Sequence, residues 1–281
     1  MASTDVDAIA VEPLGSPTDG ALEMLGQLVV QSGWNQTPQD WALFARLGSV
    51  FVVRDAGRRI VASGAVLPMG ERAAWISMIL VAPDARGQGI GRRVFAHCLD
   101  AVQATGRTAM LDATPAGEAL YRQFGFDPLW RLTRWQRGAR PALSTPAPEA
   151  APLLDTLAAL DAEALGFARR PVLDHLVQRA NSRVLRHAEG FAIVRDGRVA
   201  HHIGPLLATG EDAAAALLAE AAGTLPGAVF VDVPDDRPLL REWLTDAGFT
   251  PQRGFARMAR GADAPAGQRN FIHAIAGPEF G

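Results

Sequence analysis

Twelve residues, PDARGQGIGRRV at 83–94, join the apolar run WISMILV to a stretch with helical spacing, and they set three glycines and three arginines at that junction. Glycine lets backbone amides approach a ligand closely. A helix beginning at Gly89 aims its unpaired N–H groups the same way, so the ligand expected there is an anion. Three phosphate-binding loops fit a strand-to-helix junction of this kind, and two are excluded. A P-loop needs Gly-Lys-Ser/Thr, whereas all 27 basic residues of this chain are arginine. A dinucleotide fingerprint reads G-x-G-x-x-G, whereas here glycines stand at 87, 89 and 91 with arginine at 92. What is left is Arg86-x-x-Gly89-x-Gly91 between a strand and a helix.

Hydrophobic periodicity orders the flanking chain. IAVEPLG alternates like a strand, and DGALEMLGQLVVQSG carries helical spacing that closes at Gly33. A loop and short helix follow, with Thr37 as N-cap before Pro38. SVFVVRDAGRRIVASGAVLP reads as two strands joined by a turn at Asp55-Ala56-Gly57, and AAWISMILVAP as a third. Val94, Phe95, Cys98, Leu99 and Val102 mark one helical face. TAMLDATP is a strand, AGEALYRQFG a helix closed by Gly125, and LWRLTRWQR a last strand. The predicted order is β-α-α-β-β-β-α-β-α-β.

RGARPALSTPAPEAAP, with its prolines among small residues, then reads as a linker. Beyond it the pattern partly repeats. FVVRDAGRRIV at 51 has an echo in AIVRDGRVA at 192, and MLDATPAGEALYRQFGF at 110 in FVDVPDDRPLLREWLTDAGF at 230. The order and separation of these echoes argue for duplication. The expected units are a domain at 1–138, a Pro/Ala-rich linker at 139–152 and a second domain at 153–281. At 281 residues the chain has room for both cores.

The first unit resembles the GNAT (general N-acetyltransferase) superfamily. ILVAPDARGQGIGRRVF is similar to that family's strand-loop-helix, including Val81 and Pro83, and EALYRQFGF to its second signature. The resemblance covers roughly residues 5 to 137. It implies an α/β (α+β) fold, here tandem GNAT folds, each a mixed, mostly antiparallel sheet flanked by helices. It implies acetyl-CoA as acyl donor, with the pyrophosphate held by N–H groups of Arg86, Gly87, Gln88, Gly89, Ile90 and Gly91. Ile79, Leu80 and Val81 would offer their backbone to the pantetheine. Arg92 and Arg93 add positive potential at the helix start or are solvated surface charges. Thr114 stands where relatives often carry asparagine, and it supplies one donor rather than two.

Tyr121, the chain's only tyrosine, occupies the position of the family's general acid. A phenol stays protonated at neutral pH and can donate to a departing thiolate. A base must deprotonate the amine, and Asp112, Glu71 and Asp40 are candidates, with Asp112 ranked first for its closeness to the cofactor site. Trp34, Asn35, Trp41 and Trp75 suggest an acceptor pocket, since the family's first two helices wall that side, and Trp75 reads equally as core. The second unit lacks both devices: TGEDAA replaces the anion loop, and aligning the Gly-Phe pairs puts Leu244 where Tyr121 stands. It reads as a degenerate GNAT-like half. His201 and His202, adjacent on a strand, face opposite sides and do not share a metal. Asp232, Asp235 and Asp236 are read as a strand-end loop or an acceptor rim.

A net charge of −3 carries no polyanion-binding signal, so no nucleic-acid partner is expected. Cys98 alone makes neither a disulfide framework nor a thiolate cluster, and it reads as packing. The start MASTDVDAIAVEPLG has no signal-peptide pattern. AAWISMILVA is about half the ~20 residues of a membrane span. The expectation is a cytoplasmic N-acyltransferase without metal, moving an acetyl group from acetyl-CoA to an amine of a small-molecule acceptor. The alternative is a non-catalytic acyl-CoA sensor.

Overall fold

The computed structural model describes residues 10–144, 154–261 and 263–281. The first half runs β1 (Glu12–Pro13), α1 (Asp19–Gln31), α2 (Pro38–Leu47), β2 (Ser49–Arg54), β3 (Ile60–Met69), β4 (Ala73–Val81), α3 (Ile90–Gln103), β5 (Thr108–Ala113), α4 (Pro115–Arg122) and β6 (Phe126–Arg140). That is the order the periodicity predicts. The second half runs α5 (Leu154–Leu165), α6 (Arg170–Gln178), β7 (Arg183–His187), β8 (Gly190–Arg195), β9 (His201–Ala208), α7 (Glu211–Thr224), β10 (Gly227–Pro234), α8 (Pro238–Asp246), β11 (Thr250–Arg260) and β12 (Ile272–Ala274). From α5 to β11 it repeats the sequence of elements from α1 to β6. Of the expected linker, Ala139 and Arg140 belong to β6, and residues 145–152 lie outside the described residues.

All these strands join one sheet in the order β1-β2-β3-β4-β5-β11-β6-β10-β9-β8-β7, with β12 added beside β9. Most neighbours are antiparallel, and β4–β5 and β10–β9 are parallel. The centre of the sheet is a reciprocal exchange. β11 of the second half lies between β5 and β6, with Arg257 opposite Asp112 and Met258 opposite Leu111. β6 of the first half lies between β11 and β10, with Arg134 opposite Asp232. Each half therefore closes its sheet with the last strand of the other, and neither can satisfy those backbone groups alone.

One apolar cluster runs through both halves, from Leu25 and Trp41 to Phe191 and Phe280, and a second lies under α7. Phe280 stacks on Phe44 with ring centroids 5.6 Å apart. α3 packs closely on β3 because Gly64 has no side chain: a Cβ there would stand 2.6 Å from Val94 Cγ1 and 2.8 Å from Cys98 Sγ. Cys98 is buried, as its place on the apolar face predicts.

Buried ion pairs lock the halves. Arg179 donates to Asp40 at 2.6 Å, and Asp40 also accepts from the Thr37 amide at 2.6 Å, which fixes the start of α2. Arg169 grips Asp161 and the main-chain oxygens of Phe280 and Gly281, which fixes the C-terminal segment. Burying such charges is costly unless every member is paired, and here each group of partners joins separate elements of the fold.

Two expectations follow. Residues 1–144 produced alone should show no cooperative unfolding transition, whereas co-production with 145–281 should restore one through strand pairing; a well-folded isolated half would overturn the exchange. The buried His202 and His273 are pushed down by burial, His273 to about 4 and His202 well below its ordinary value. Their unfolded forms bind protons first as pH falls, so stability is greatest above about pH 6.5 and declines below it. Denaturation at a series of pH values should show the loss approaching about 1.4 kcal/mol per pH unit for each histidine.

Candidate active site

The site begins where β4 and β5 part. They pair only at Ala73–Thr108, Ala74–Ala109 and Trp75–Met110. From Ile76 onward the strands diverge, and a cleft of about 640 Å³, solvent at its mouth included, opens between them. A bulge shapes its floor. Ser63 faces Leu80 and Ala65 faces Ser77, so Met78 and Ile79 stand against Gly64 alone. Met78 takes φ +56, and its carbonyl accepts from Ser63 Oγ at 3.0 Å. An extra strand residue of this kind leaves main-chain polar groups without a ladder partner.

A groove leads out of the cleft along β4. Ile79, Leu80, Val81, Arg86 and Thr114 line it, together with Trp34 and Arg253. At its end Gly87 and Gly89 take φ +76 and +73, and nothing stands within 4 Å of where a Cβ would be at either. Gly89 caps α3, whose first intrahelical bond is Arg93 N to Gly89 O. The amides of Ile90, Gly91 and Arg92 therefore have no helical acceptor and can hold an anion. Gly91 is kept small by Val81, whose Cγ2 would be 3.3 Å from a Cβ. Arg86 donates to the Val81 carbonyl at 3.0 Å, which ties the loop to the strand. Arg92 is neither free nor aimed at the groove, since it donates to Gln123 at 2.6 Å and covers the Phe124 ring. Thr114 caps α4 by accepting from the Gly117 amide at 3.3 Å, which leaves its hydroxyl hydrogen for a ligand.

Tyr121 reaches the cleft from α4. Its ring packs 4.4 Å from Phe95, over Gly117, where a Cβ would stand 2.9 Å from the ring. The hydroxyl has no hydrogen-bond partner among the described residues, and burial pushes the phenol up, so it stays protonated. Such a group can donate to a developing anion.

Asp112 lines the same cleft, but both its oxygens accept from Arg257, at 2.9 and 2.8 Å. The guanidinium is itself held between Trp75 and Trp130, at 4.7 and 4.5 Å from their ring centroids. Burial pushes the Asp112 carboxyl up, with Arg257 opposing it. The arrangement is a closed ion pair rather than an open base. Asp40 is likewise taken by Arg179 and Thr37, and Glu71 is an exposed turn residue.

The four residues expected to wall the acceptor side separate. Trp34 lines the cleft. Trp41 and Trp75 are fully buried in the core, Trp75 donating to the Pro278 carbonyl at 2.8 Å. Asn35 is a clamp between the halves: it donates to Ala200 O and accepts from the amides of Val199 and Ala200.

In their place the second half supplies residues that sequence reading missed. Glu279, Pro278, Arg253 and Phe255 all line the cleft. Glu279 is 6% exposed, accepts from Arg195 at 3.1 Å through Oε1, and leaves Oε2 without a partner. Burial pushes its carboxyl up. No local pattern marks these positions, because they reach the cleft only through the strand exchange and the grip of Arg169.

The second half has no matching site among the described residues. Glu211 and Asp212 occupy the first turn of α7, and Leu244 is buried in the core. Asp232 is not a loop residue but a buried partner of Arg134. His201 pairs with Asp196 while His202 is buried on the other face, and no group of metal-ligating residues occurs among the described residues.

Profiles described as "Acetyltransferase (GNAT) domain" match residues 46–128 and, separately, 157–274. An uncharacterized N-acetyltransferase of Bacillus subtilis, YitH, is 23% identical over 242 residues, covering 82% of this chain and 83% of that protein. A crystal structure of a putative acetyltransferase from Pyrococcus horikoshii superposes with TM-score 0.78 at 20% identity, over 97% of this chain and 96% of that one. A tandem GNAT protein from the clavulanic acid biosynthesis pathway gives TM-score 0.64 at 18% identity, over 91% and 99%. No described helix is long and apolar enough to cross a membrane.

Removing the charge at Asp112 should destabilise the fold, because it strands a buried guanidinium. Asp112→Asn is expected to lower unfolding free energy by about 3–5 kcal/mol. Unchanged denaturant stability with lost activity would instead make the carboxylate a chemical participant.

Proposed function

We propose, for a chain that belongs to the GNAT acetyltransferase superfamily as a tandem of two such domains, that the cleft between β4 and β5 transfers an acetyl group from acetyl-CoA to a small-molecule amine. The observation that carries this reading is the convergence of three devices on one opening. These are the glycine loop with its unpaired amides, the groove along β4, and the Tyr121 hydroxyl.

The pyrophosphate is assigned to the amides from Gly87 to Arg92, where the dipole of α3 favours negative charge; the Arg86 amide, expected to join them, is already given to the Pro83 carbonyl. The pantetheine then lies along Ile79, Leu80 and Val81, with the Thr114 hydroxyl beside it, and this puts the thioester near Tyr121. The neutral amine attacks the thioester carbonyl carbon, so that a C–N bond forms and the C–S bond breaks. Tyr121 donates toward the departing sulfur, and its raised phenol supports hydrogen-bond donation rather than a resting phenolate. The amine's proton passes to Glu279, directly or through one water. Glu279 is preferred over Asp112 because one of its oxygens is unengaged, whereas both of Asp112's are held by Arg257. Burial raises its carboxyl, which makes it a stronger base than a solvated glutamate.

Thiol release from acetyl-CoA is the test, measured against a panel of amines with cofactor binding in parallel. Amine-dependent release is expected. Tyr121→Phe should lower kcat by about 10²–10⁴-fold with acetyl-CoA affinity nearly unchanged. Gly89→Glu should abolish acetyl-CoA binding, since it sets a carboxylate among the amides of the loop. Wild-type binding in that variant would remove the loop from the reading, and wild-type turnover in Tyr121→Phe would leave the tyrosine as packing.

A further inference from the structure

One charged side chain of the cleft is without a hydrogen-bond or ion-pair partner among the described residues. Four charged side chains line it. Asp112 is held by Arg257, Glu279 by Arg195, and Arg134 by Asp232 through two bonds of 2.8 Å. Arg253 alone makes no hydrogen bond or ion pair with any described residue. It also stands directly opposite Arg134 across β11 and β6. Like charges so placed destabilise a sheet. Burial and the nearby Arg134 push its guanidinium down, with Asp232 opposing them.

The surrounding polar groups are also unfinished. Gln36 Oε1, Ser77 Oγ and Glu279 Oε2 are buried, line the same cleft and have no partner. Gln36, Ser77 and Glu279 are each 9% exposed or less. Buried polar atoms left unmade are costly unless something occupies the site. Arg253 also borders the groove along β4, so it stands where the groove meets the cleft. A group bound there lies beside the point of acyl transfer.

The missing partner of a guanidinium at such a place is a planar anion that its two-pronged donor edge can match. We propose that the acceptor is a small amino acid, or an amine bearing a carboxylate like one, whose carboxylate pairs with Arg253 while its amino group faces Glu279. This rests on the acyl-transfer reading above. The unpartnered oxygens of Gln36 and Ser77 then accept from N–H groups of the same molecule. The second half, without a site of its own, contributes the acceptor-reading residues Arg253 and Glu279 to the site of the first.

Matched acceptors test it: alanine against ethylamine and lysine against cadaverine, with acetyl-CoA as donor. The carboxylate-bearing member of each pair should be favoured about 10²-fold in kcat/KM. Arg253→Ala should erase that preference through KM, and Arg253→Lys should restore part of it. Thermal stability should hold in Arg253→Ala, because the side chain makes no hydrogen bond or ion pair with any described residue. Calorimetric binding of the amino acid to the protein–CoA complex should weaken in the same variant.

Equal rates on both members of each pair, or a preference that survives Arg253→Ala, would overturn the proposal and leave the acyl-transfer reading standing. A carboxylate could also arrive on the donor. An Arg253→Ala defect confined to succinyl-CoA, with acetyl-CoA unaffected, would move the anion to the acyl chain and overturn the acceptor assignment. Failure of acetyl-CoA to bind the wild-type protein would sink the acyl-transfer reading itself, and this proposal with it.

Discussion

The hydrogen bonds between β6 and β11 organise this molecule. These strands end the repeated pattern in their respective halves, yet they pair with each other and with the opposite half, so the middle of the sheet belongs to neither. Backbone donors and acceptors buried in a sheet must be matched, and the exchange matches them only when both halves are present. The ion pairs Arg257–Asp112 and Arg134–Asp232 follow from the same registers, since each joins residues directly opposite on neighbouring strands.

From that exchange the cleft inherits its composition. β4 and β5 separate after three pairs, and β11 pairs with the other edge of β5. β11 brings Arg253 and Phe255 to one wall, and the C-terminal segment brings Pro278 and Glu279 to another. Arg169 holds that segment in place through the main-chain oxygens of Phe280 and Gly281. A half that carries no anion loop and no tyrosine thereby shapes the site of the half that has both.

The electrostatics of the cleft sort its charged residues by role. Asp112 and Arg134 are neutralised in two-pronged pairs and serve the architecture. Glu279 keeps one oxygen unengaged and Arg253 has no hydrogen-bond or ion-pair partner among the described residues, and the proposed acceptor assignment rests on these two. The distinction rests on geometry that charge and residue type alone do not express. An aspartate at the end of β5 is a reasonable base until an arginine from a strand 145 residues later occupies both its oxygens.

What the sequence determined is local. The order of elements, the glycine loop and the place of Tyr121 depend on spacings within about thirty residues, where helical and strand periodicities and backbone freedom act directly, and the duplication shows as such local patterns recurring in the same order. That Trp34, Ile79, Leu80, Val81, Arg86 and Thr114 fall close together was legible for the same reason, since each lies on or beside those elements, and they line one groove. Trp41, Trp75 and Asn35 were not, because an aromatic or an amide looks alike whether it faces a cleft, a core or a neighbouring half. The exchange of β6 and β11, the occupation of Asp112 by Arg257, and the arrival of Arg253 and Glu279 were decided only by the tertiary structure. Strand alternation says which face a residue takes, but the partner strand is chosen by the pairing of backbones and burial of side chains that lie far apart along the chain.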